Sequence, residues 1–361
     1  MWKEWLTPYN TFNALKILAW KQEVAQAVSW LNGKKKELSP PSCVTIHPTN
    51  LCQVNCFWCK NRENRTKNGV SLPNDLLLSL PASLSEWGVK SAILSGGEPL
   101  LHPKIGEFLF ALRENDIEIG LKSNGVALSD PKIRKAVLET VEWVGISLDA
   151  ASEHVYLKIK KANIGQFQKT IEAISVFAKE RGEKKKPHIT LKFLIHHLNY
   201  SEVFIFVDMA KKLGADDVHL RPLYFPRYAY TRGVRKTAES YLRDARKSFE
   251  DEDFHVFAII TKYDRDWKKI IRFEKCLMPA LTTVFSANKK AYLCPDRVGD
   301  EKAEMRSFTN FDKFREFWGS DAHRQLLRKV TPQLCLNCGY SLMNEAIEKC
   351  LVEDAMWLKF L

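Results

Sequence analysis

The sequence predicts an α/β fold, a partial (β/α)6 TIM-like barrel with an N-terminal helical extension and a small C-terminal α+β domain. Three observations lead there. Short apolar runs at 43–47, 90–95, 117–121, 143–148, 189–195 and 216–220 alternate with helical patterns near 74–87, 104–115, 131–139, 165–180 and 201–212. That alternation is the mark of repeated βα units around a parallel sheet. Six strands fall short of the eight that close such a barrel, so the barrel is expected to be open. The nine cysteines are also divided, four before residue 60 and five after residue 275, which brackets the strand–helix region with thiols.

Taken in chain order, residues 1–42 form the helical extension and its linker. Trp2, Leu6, Tyr9 and Phe12, then Val24, Val28 and Leu31, recur at helical spacing, and Gly33 is a stop. This aromatic, basic stretch suits docking on the rest of the protein; peripheral contact with a membrane surface is the alternative. Pro40 and Pro41 mark the linker before the first strand. Residues 43–225 make the barrel. A bridging region, 226–275, follows; the aromatics Tyr224, Phe225, Tyr228 and Tyr230 straddle its start, and a helix and a strand come after them. Residues 276–361 carry the second cysteine group around a helical stretch near 311–329.

The composition, 45% hydrophobic and 27% charged, is that of an ordinary globular chain. No run of about 18 apolar residues suggests a membrane span. The opening Met-Trp-Lys-Glu-Trp does not read as a secretory signal, so a cytoplasmic location is expected. An odd cysteine count without an export signal argues against a disulfide framework and for metal or iron–sulfur sites. The net charge of +12, with runs at Lys34–Lys36, Lys184–Lys186 and Lys289–Lys290, allows an anionic partner. Solvated lysines on exposed loops are the plainer reading of each run.

Chemistry is expected at the strand ends. Cys52-Gln-Val-Asn-Cys56-Phe-Trp-Cys59 follows the first strand. Three thiolates can hold three irons of a cubane and leave the fourth open. Zinc with His47 as a fourth ligand is the alternative. Ser95-Gly96-Gly97-Glu98 ends the second strand. Its glycines allow close backbone approach to a ligand, and Glu98 can accept from an ammonium. Lys122-Ser123-Asn124-Gly125 ends the third strand and Ile146-Ser147-Leu148-Asp149 the fourth. Both also read as ordinary turn chemistry.

The stretch from Thr49 to Cys59 resembles the signature of the radical S-adenosylmethionine (SAM) superfamily. The resemblance implies a 4Fe–4S cluster on Cys52, Cys56 and Cys59, with SAM bound to its open iron. One-electron cleavage would yield methionine and a 5′-deoxyadenosyl radical that abstracts hydrogen. It further implies cofactor-binding roles for Trp58, Gly96, Gly97, Glu98, Ser123, Asn124, Ser147 and Asp149. Where related sequences carry an Arg that clamps the SAM carboxylate, this chain reads Lys158-Ile159-Lys160-Lys161. Lys160 is the expected substitute, a point charge rather than a fork. Arg221, ending the sixth strand, is another cation at the same mouth; a surface salt bridge is its plainer reading.

Cys276, Cys294, Cys335 and Cys338 make a complete four-thiolate set, which zinc would also accept. Their surroundings resemble the auxiliary-cluster module of the same superfamily. The full version of that module, called SPASM, has a further Cys where this chain has Asn344. The set therefore resembles the shorter twitch version and implies a second 4Fe–4S cluster. Lys289 stands where a Gly is usual. Cys43 and Cys350 remain. Both are expected to be small core residues, with Cys350 the better candidate for a hydrogen-atom donor.

With a second cluster, radical formation can end in dehydrogenation, electron and proton leaving the substrate, or in epimerisation through a thiol. The expected substrate is a small polar metabolite such as a sugar or aminocyclitol, in places phosphorylated or nucleotide-linked and so anionic. An electron donor such as flavodoxin or ferredoxin is implied. Maturation of a ribosomal peptide is the alternative within the class. A zinc or nucleic-acid-binding protein, using Arg227, Arg232 and Arg235 among the aromatics at 224–230, is the alternative outside it.

Overall fold

The computed structural model describes residues 16–59, 69–223, 232–258, 273–332, 335 and 338–349. Two N-terminal helices, α1 (Lys16–Ala19) and α2 (Lys21–Leu31), precede the first strand. Strands β1 (Cys43–Ile46), β2 (Ser91–Leu94), β3 (Glu118–Ser123), β4 (Val141–Ser147), β5 (His188–Ile195), β6 (Asp217–Pro222) and β7 (His255–Ala258) lie side by side, each parallel to the next. Helices α3 (Asn74–Trp87), α4 (Ile105–Glu114), α5 (Pro131–Thr140), α6 (Glu153–Lys160), α7 (Gln166–Arg181), α8 (Val203–Lys212) and α9 (Arg232–Phe249) connect them.

The six expected strands all form. The helix and strand expected in the bridging region are α9 and β7, and β7 carries the parallel sheet one strand further. Helix α6 was not legible as a helix. It is nucleated by Ser152, whose hydroxyl accepts from the Val155 amide.

The core lies between the strands and the outer helices. In α4, Ile105, Phe108, Leu109 and Leu112 form an i, i+3, i+4, i+7 stripe and are buried. Ile189, Leu191, Phe193 and Ile195 alternate along β5 and are fully buried. The other face of the same strand carries Thr190, Lys192 and Leu194 inward. Ile146 of β4 shows which side is which: its methyl meets Gly125, next to Thr170 and Ile174 of α7.

The C-terminal segment extends the same sheet. Strand β8 (Val284–Phe285) pairs in parallel with β1, and β9 (Lys290–Tyr292) and β10 (Glu304–Ser307) follow antiparallel. The strand order is β10-β9-β8-β1-β2-β3-β4-β5-β6-β7. The helical stretch near 311–329 breaks at Gly319, where φ is +81°, into α10 (Phe311–Phe317) and α11 (Asp321–Arg328). Helix α12 (Ser341–Ile347) closes the described chain.

Helix α2 docks on this C-terminal unit. Val24, Ala27, Val28 and Trp30 are buried. The Trp30 indole donates to the Gly319 carbonyl at 2.7 Å, and the Arg324 guanidinium lies 5.1 Å from its ring. Trp318 donates to the Ser39 carbonyl at 2.9 Å. The apolar face of α2 is thus spent on the protein itself, which corrects the membrane-surface alternative for that helix. Trp2, Leu6, Tyr9 and Phe12 lie outside the described residues. Among the described residues, no helix is long and apolar enough to cross a membrane. Trp30→Ala is expected to destabilise the chain by about 3–5 kcal/mol, because a fully buried indole is removed. Urea denaturation measures this; a loss under about 1 kcal/mol would show that α2 anchors nothing.

Candidate active site

The expected functional segments converge at the C-terminal ends of β1 to β4. The cysteine loop leaves β1 and is strapped to the turn after β2. Gly97 donates its amide to the Thr49 carbonyl at 3.0 Å, and Glu98 to the Leu51 carbonyl at 2.6 Å. A Cβ on Gly97 would stand 2.1 Å from the Leu51 carbonyl oxygen, and one on Gly96 2.8 Å from that of Thr49. The close approach these glycines permit is therefore to the cysteine loop. Any side chain there would push the loop off the strand end. His47 packs on Gly96, and burial followed by the Lys122 charge takes its imidazole down to about 4.

Glu98 is 1% exposed and points into the site. It accepts from the Asn124 amide at 2.7 Å, the Ser123 hydroxyl at 2.9 Å and the Leu100 amide at 3.3 Å. Burial nevertheless outweighs these donors and pushes its carboxyl up to about 7. Asn124 reaches the other way: its side-chain amide donates to Cys52 Sγ at 3.5 Å and to Gln53 Oε1 at 3.2 Å. One chain of hydrogen bonds thus runs from the turn after β2, through the turn after β3, to the first cysteine.

Beneath the loop lies a buried ion pair. Lys160 and Asp149 are 2% and 1% exposed and bonded to each other. Lys160 also donates to the Ser147 carbonyl at 2.9 Å, while Asp149 accepts from the Leu194 amide at 2.7 Å. Burial alone would lower the Lys160 ammonium; Asp149 and then the Cys56 thiol outweigh it and raise it. The backbone of α6 holds the loop as well, Asn55 donating to the Lys160 carbonyl at 2.7 Å. Both side chains expected at the mouth are thus committed underneath it. The Lys160 ammonium sits 5.4 Å from the Trp58 ring, and Trp58 packs on His196 at 5.1 Å. His196 is fully buried and was not singled out from the sequence. Burial, then His197, lowers it to about 3. Its place just past β5, the strand end facing the loop, is the signal that was there to find.

The thiols fit soft-metal chemistry by donor type. Cys56 is pushed up to about 11 by burial, against the Lys160 charge and with help from Asp149, Cys59 and Cys52. The three thiols thus share one electrostatic environment. Among the described residues, no three of His, Cys, Asp or Glu converge as the ligands of one ion do. Ligands of a cluster bind separate irons and need not converge on one point.

The second set also gathers. Cys276 is raised by burial, then by Cys338 and Cys335; Cys294 by burial, then Asp296, with Cys276 and Cys338 adding to it. Asn344 is fully buried beside them. Its carbonyl accepts from the Leu277 and Met278 amides at 2.8 and 3.2 Å, and its amide faces Cys276 Sγ at 3.9 Å. At the position of the extra SPASM cysteine, Asn344 holds the Cys276 loop in place. Glu348 assists, accepting from the Glu274 and Lys275 amides at 2.7 and 3.0 Å. Cys43 lies on the inner face of β1, its thiol raised by burial. Cys350 and the segment 224–231 lie outside the described residues.

A parallel barrel with a three-cysteine loop after its first strand and a Gly-Gly-Glu turn after its second defines a radical SAM domain. Residues 46–210 match the Radical SAM superfamily. That family implies SAM and a 4Fe–4S cluster. A probable GTP 3′,8-cyclase of Saccharolobus islandicus is 27% identical over 186 residues, 51% of this chain and 58% of that protein. A probable GTP 3′,8-cyclase of Methanocaldococcus jannaschii is 26% identical over 173 residues, 47% and 55% of the two chains. The chain thus spans little more than half the length of these curated relatives. Among solved structures, Streptococcus suis SuiB bound to S-adenosylmethionine superposes with a TM-score of 0.63 at 15% identity, over 86% of this chain and 73% of that one. The anSMEcpe structure with bound AdoMet and Kp18Cys peptide gives 0.60 at 15% identity, over 85% and 88%. These likenesses establish the fold.

Proposed function

We propose that the chain binds SAM at the Cys52–Cys59 loop and uses it to abstract hydrogen from a small polar, anionic metabolite, with a second 4Fe–4S cluster on Cys276, Cys294, Cys335 and Cys338. Cluster-bound SAM would supply the 5′-deoxyadenosyl radical. The chain's own residues do the rest. Gly96 and Gly97 seat the loop, and Glu98 offers a buried acceptor for an ammonium, a role that would draw its carboxyl down from about 7. Ser147, on the inner face of β4, and Trp58 border the same mouth. Lys160 and Asp149 position the loop from below.

The observation that carries the reading is where the second thiol set sits. The hydroxyl of half-buried Tyr340 is raised by burial, then by Cys294, Cys43 of β1, Asp296 and Cys338. The segment that carries the second set runs beside β1, its Thr282 hydroxyl donating to the Cys43 carbonyl at 2.9 Å, which supports a role in taking an electron from a substrate held in the barrel. This favours net dehydrogenation; epimerisation would instead need a thiol beside the substrate. The relatives named as probable GTP 3′,8-cyclases support an anionic small molecule. A second reading, peptide modification, is favoured by solved neighbours bound to peptides, SuiB with its precursor peptide SuiA among them.

Iron and sulfide analysis of the anaerobically reconstituted chain tests the cluster assignment. About eight irons are expected, falling to about four when Cys276, Cys294, Cys335 and Cys338 become Ala. Two zincs and no iron would overturn it.

A further inference from the structure

The inner wall of the barrel carries a group of cations that the cofactor site does not use. Side chains alternate along a strand, and Ile146 faces α7, so Trp143, Gly145 and Ser147 face inward. Register then fixes the neighbours. Lys122 of β3 pairs with Gly145, Ser147 pairs with Lys192 of β5, and Leu194, two residues on, pairs with Arg221 of β6. Lys122, Lys192 and Arg221 are all half-buried on this face.

Two glycines make the arrangement possible. A Cβ on Gly145 would stand 2.2 Å from the Lys192 amine, which lies across β4. A Cβ on Gly120 would stand 2.4 Å from the Trp143 ring, which lies across β3. The amine is 5.4 Å from the centroid of that ring. Lys192 and Trp143 thus lie flat over positions without side chains, and they line the interior.

The two lysines are poorly compensated. Among the described residues, Lys122 and Lys192 make neither a hydrogen bond nor an ion pair. The nearby carboxylates also have other partners. Asp149 holds Lys160, Asp217 holds His188 at 2.8 Å, and Asp296 accepts from the Gly339 amide at 3.3 Å. Burial, then Lys122 and Arg221, brings the Lys192 amine down to about 7. Lys122 is lowered by burial and then Arg221, with Asp296 and Cys43 opposing. Like charges gathered in a low-dielectric wall weaken the fold by itself. An oxyanion placed among them reverses the sign of every term.

We propose that Lys122, Lys192 and Arg221 form a clamp for a phosphate or carboxylate group of the substrate, on the inner wall of the barrel. The proposal deepens the reading above and rests on its small anionic substrate. Its charge would fix the substrate's orientation on this wall.

The test is titration of pyrophosphate, and separately malonate, into the anaerobically reconstituted full chain saturated with S-adenosylhomocysteine. At least one probe is expected to bind, and the tighter one identifies the oxyanion. Lys122→Met and Lys192→Met should each weaken it about tenfold or more, the scale of a charged hydrogen bond. Both variants should melt at or above the wild-type temperature, because each removes an uncompensated cation; a purely structural role would lower the melting point. Three results overturn the clamp: no binding of either probe, unchanged affinity in both variants, or competition between the probe and S-adenosylhomocysteine. The last would assign the cations to the cofactor's carboxylate. Lysine-dependent pyrophosphate binding by a chain that assembles no clusters would keep the clamp and remove the radical reading.

Discussion

Replacing Cys52, Cys56 and Cys59 together by Ala is expected to abolish reductive cleavage of SAM. The chain should still assemble about four irons on the second thiol set. The expectation rests on how the loop is held. Its anchors are backbone bonds from Gly97 and Glu98 to Thr49 and Leu51, and from Asn55 to Lys160. None of these uses a sulfur atom, so the loop keeps its course when the thiols are gone. The Asn124 bond to Cys52 is lost, but Asn124 retains Gln53 and its own turn bond to the Val126 amide. The measurement is 5′-deoxyadenosine release under dithionite, with iron determined on the same sample. Undiminished release would sink the assignment of the triad. Loss of all iron would show that the two sites fold as one.

A large effect on stability is expected at the ion pair under the loop. Lys160→Met leaves the Asp149 carboxylate buried without its cation and should destabilise the chain by about 3–5 kcal/mol. Asp149→Asn alone leaves a buried ammonium and should do the same. The double variant should recover most of the loss, since Asn still accepts from the Leu194 amide and tolerates the left-handed backbone at this position, where φ is 62°. Urea unfolding of the three variants forms a double-mutant cycle. Additive losses would mean that the two groups do not sense each other, and that Lys160 was available to the mouth after all.

The strands were legible because their outward faces are consistently apolar, as in Ile189, Leu191, Phe193 and Ile195. The thiol sets were legible because spacing alone separates them. What the pattern concealed is mostly polar groups turned inward. Lys160 reads as a cation at the mouth, yet it is 2% exposed and bonded to Asp149, and nothing in the pattern marks 153–160 as a helix that buries it. Lys192 sits in an apolar run and gives no hint that Gly145, on another strand, makes room for it. The glycines of the Gly-Gly-Glu turn were read as facing a ligand. Their close neighbour is the chain itself, a contact that depends on two strand ends meeting. Asn344 was read as a missing ligand, and its buried amide does a different task. The amphipathic pattern of α2 could not distinguish a bilayer from α11, because both offer the same apolar cover.

The pairing of β8 with β1 has a consequence for how the chain comes to be folded. Residues 43–46 emerge from the ribosome some 240 positions before Val284 and Phe285, their partners in the sheet. Until then β1 is an edge strand, with open amides and carbonyls and a reactive cysteine loop at its tip. Its closure is a contact of long sequence separation, the slow kind to form. A nascent chain therefore exposes an adhesive edge until β8 has been made. The segment around Val284 and Phe285 acts as the cap that ends this vulnerable period.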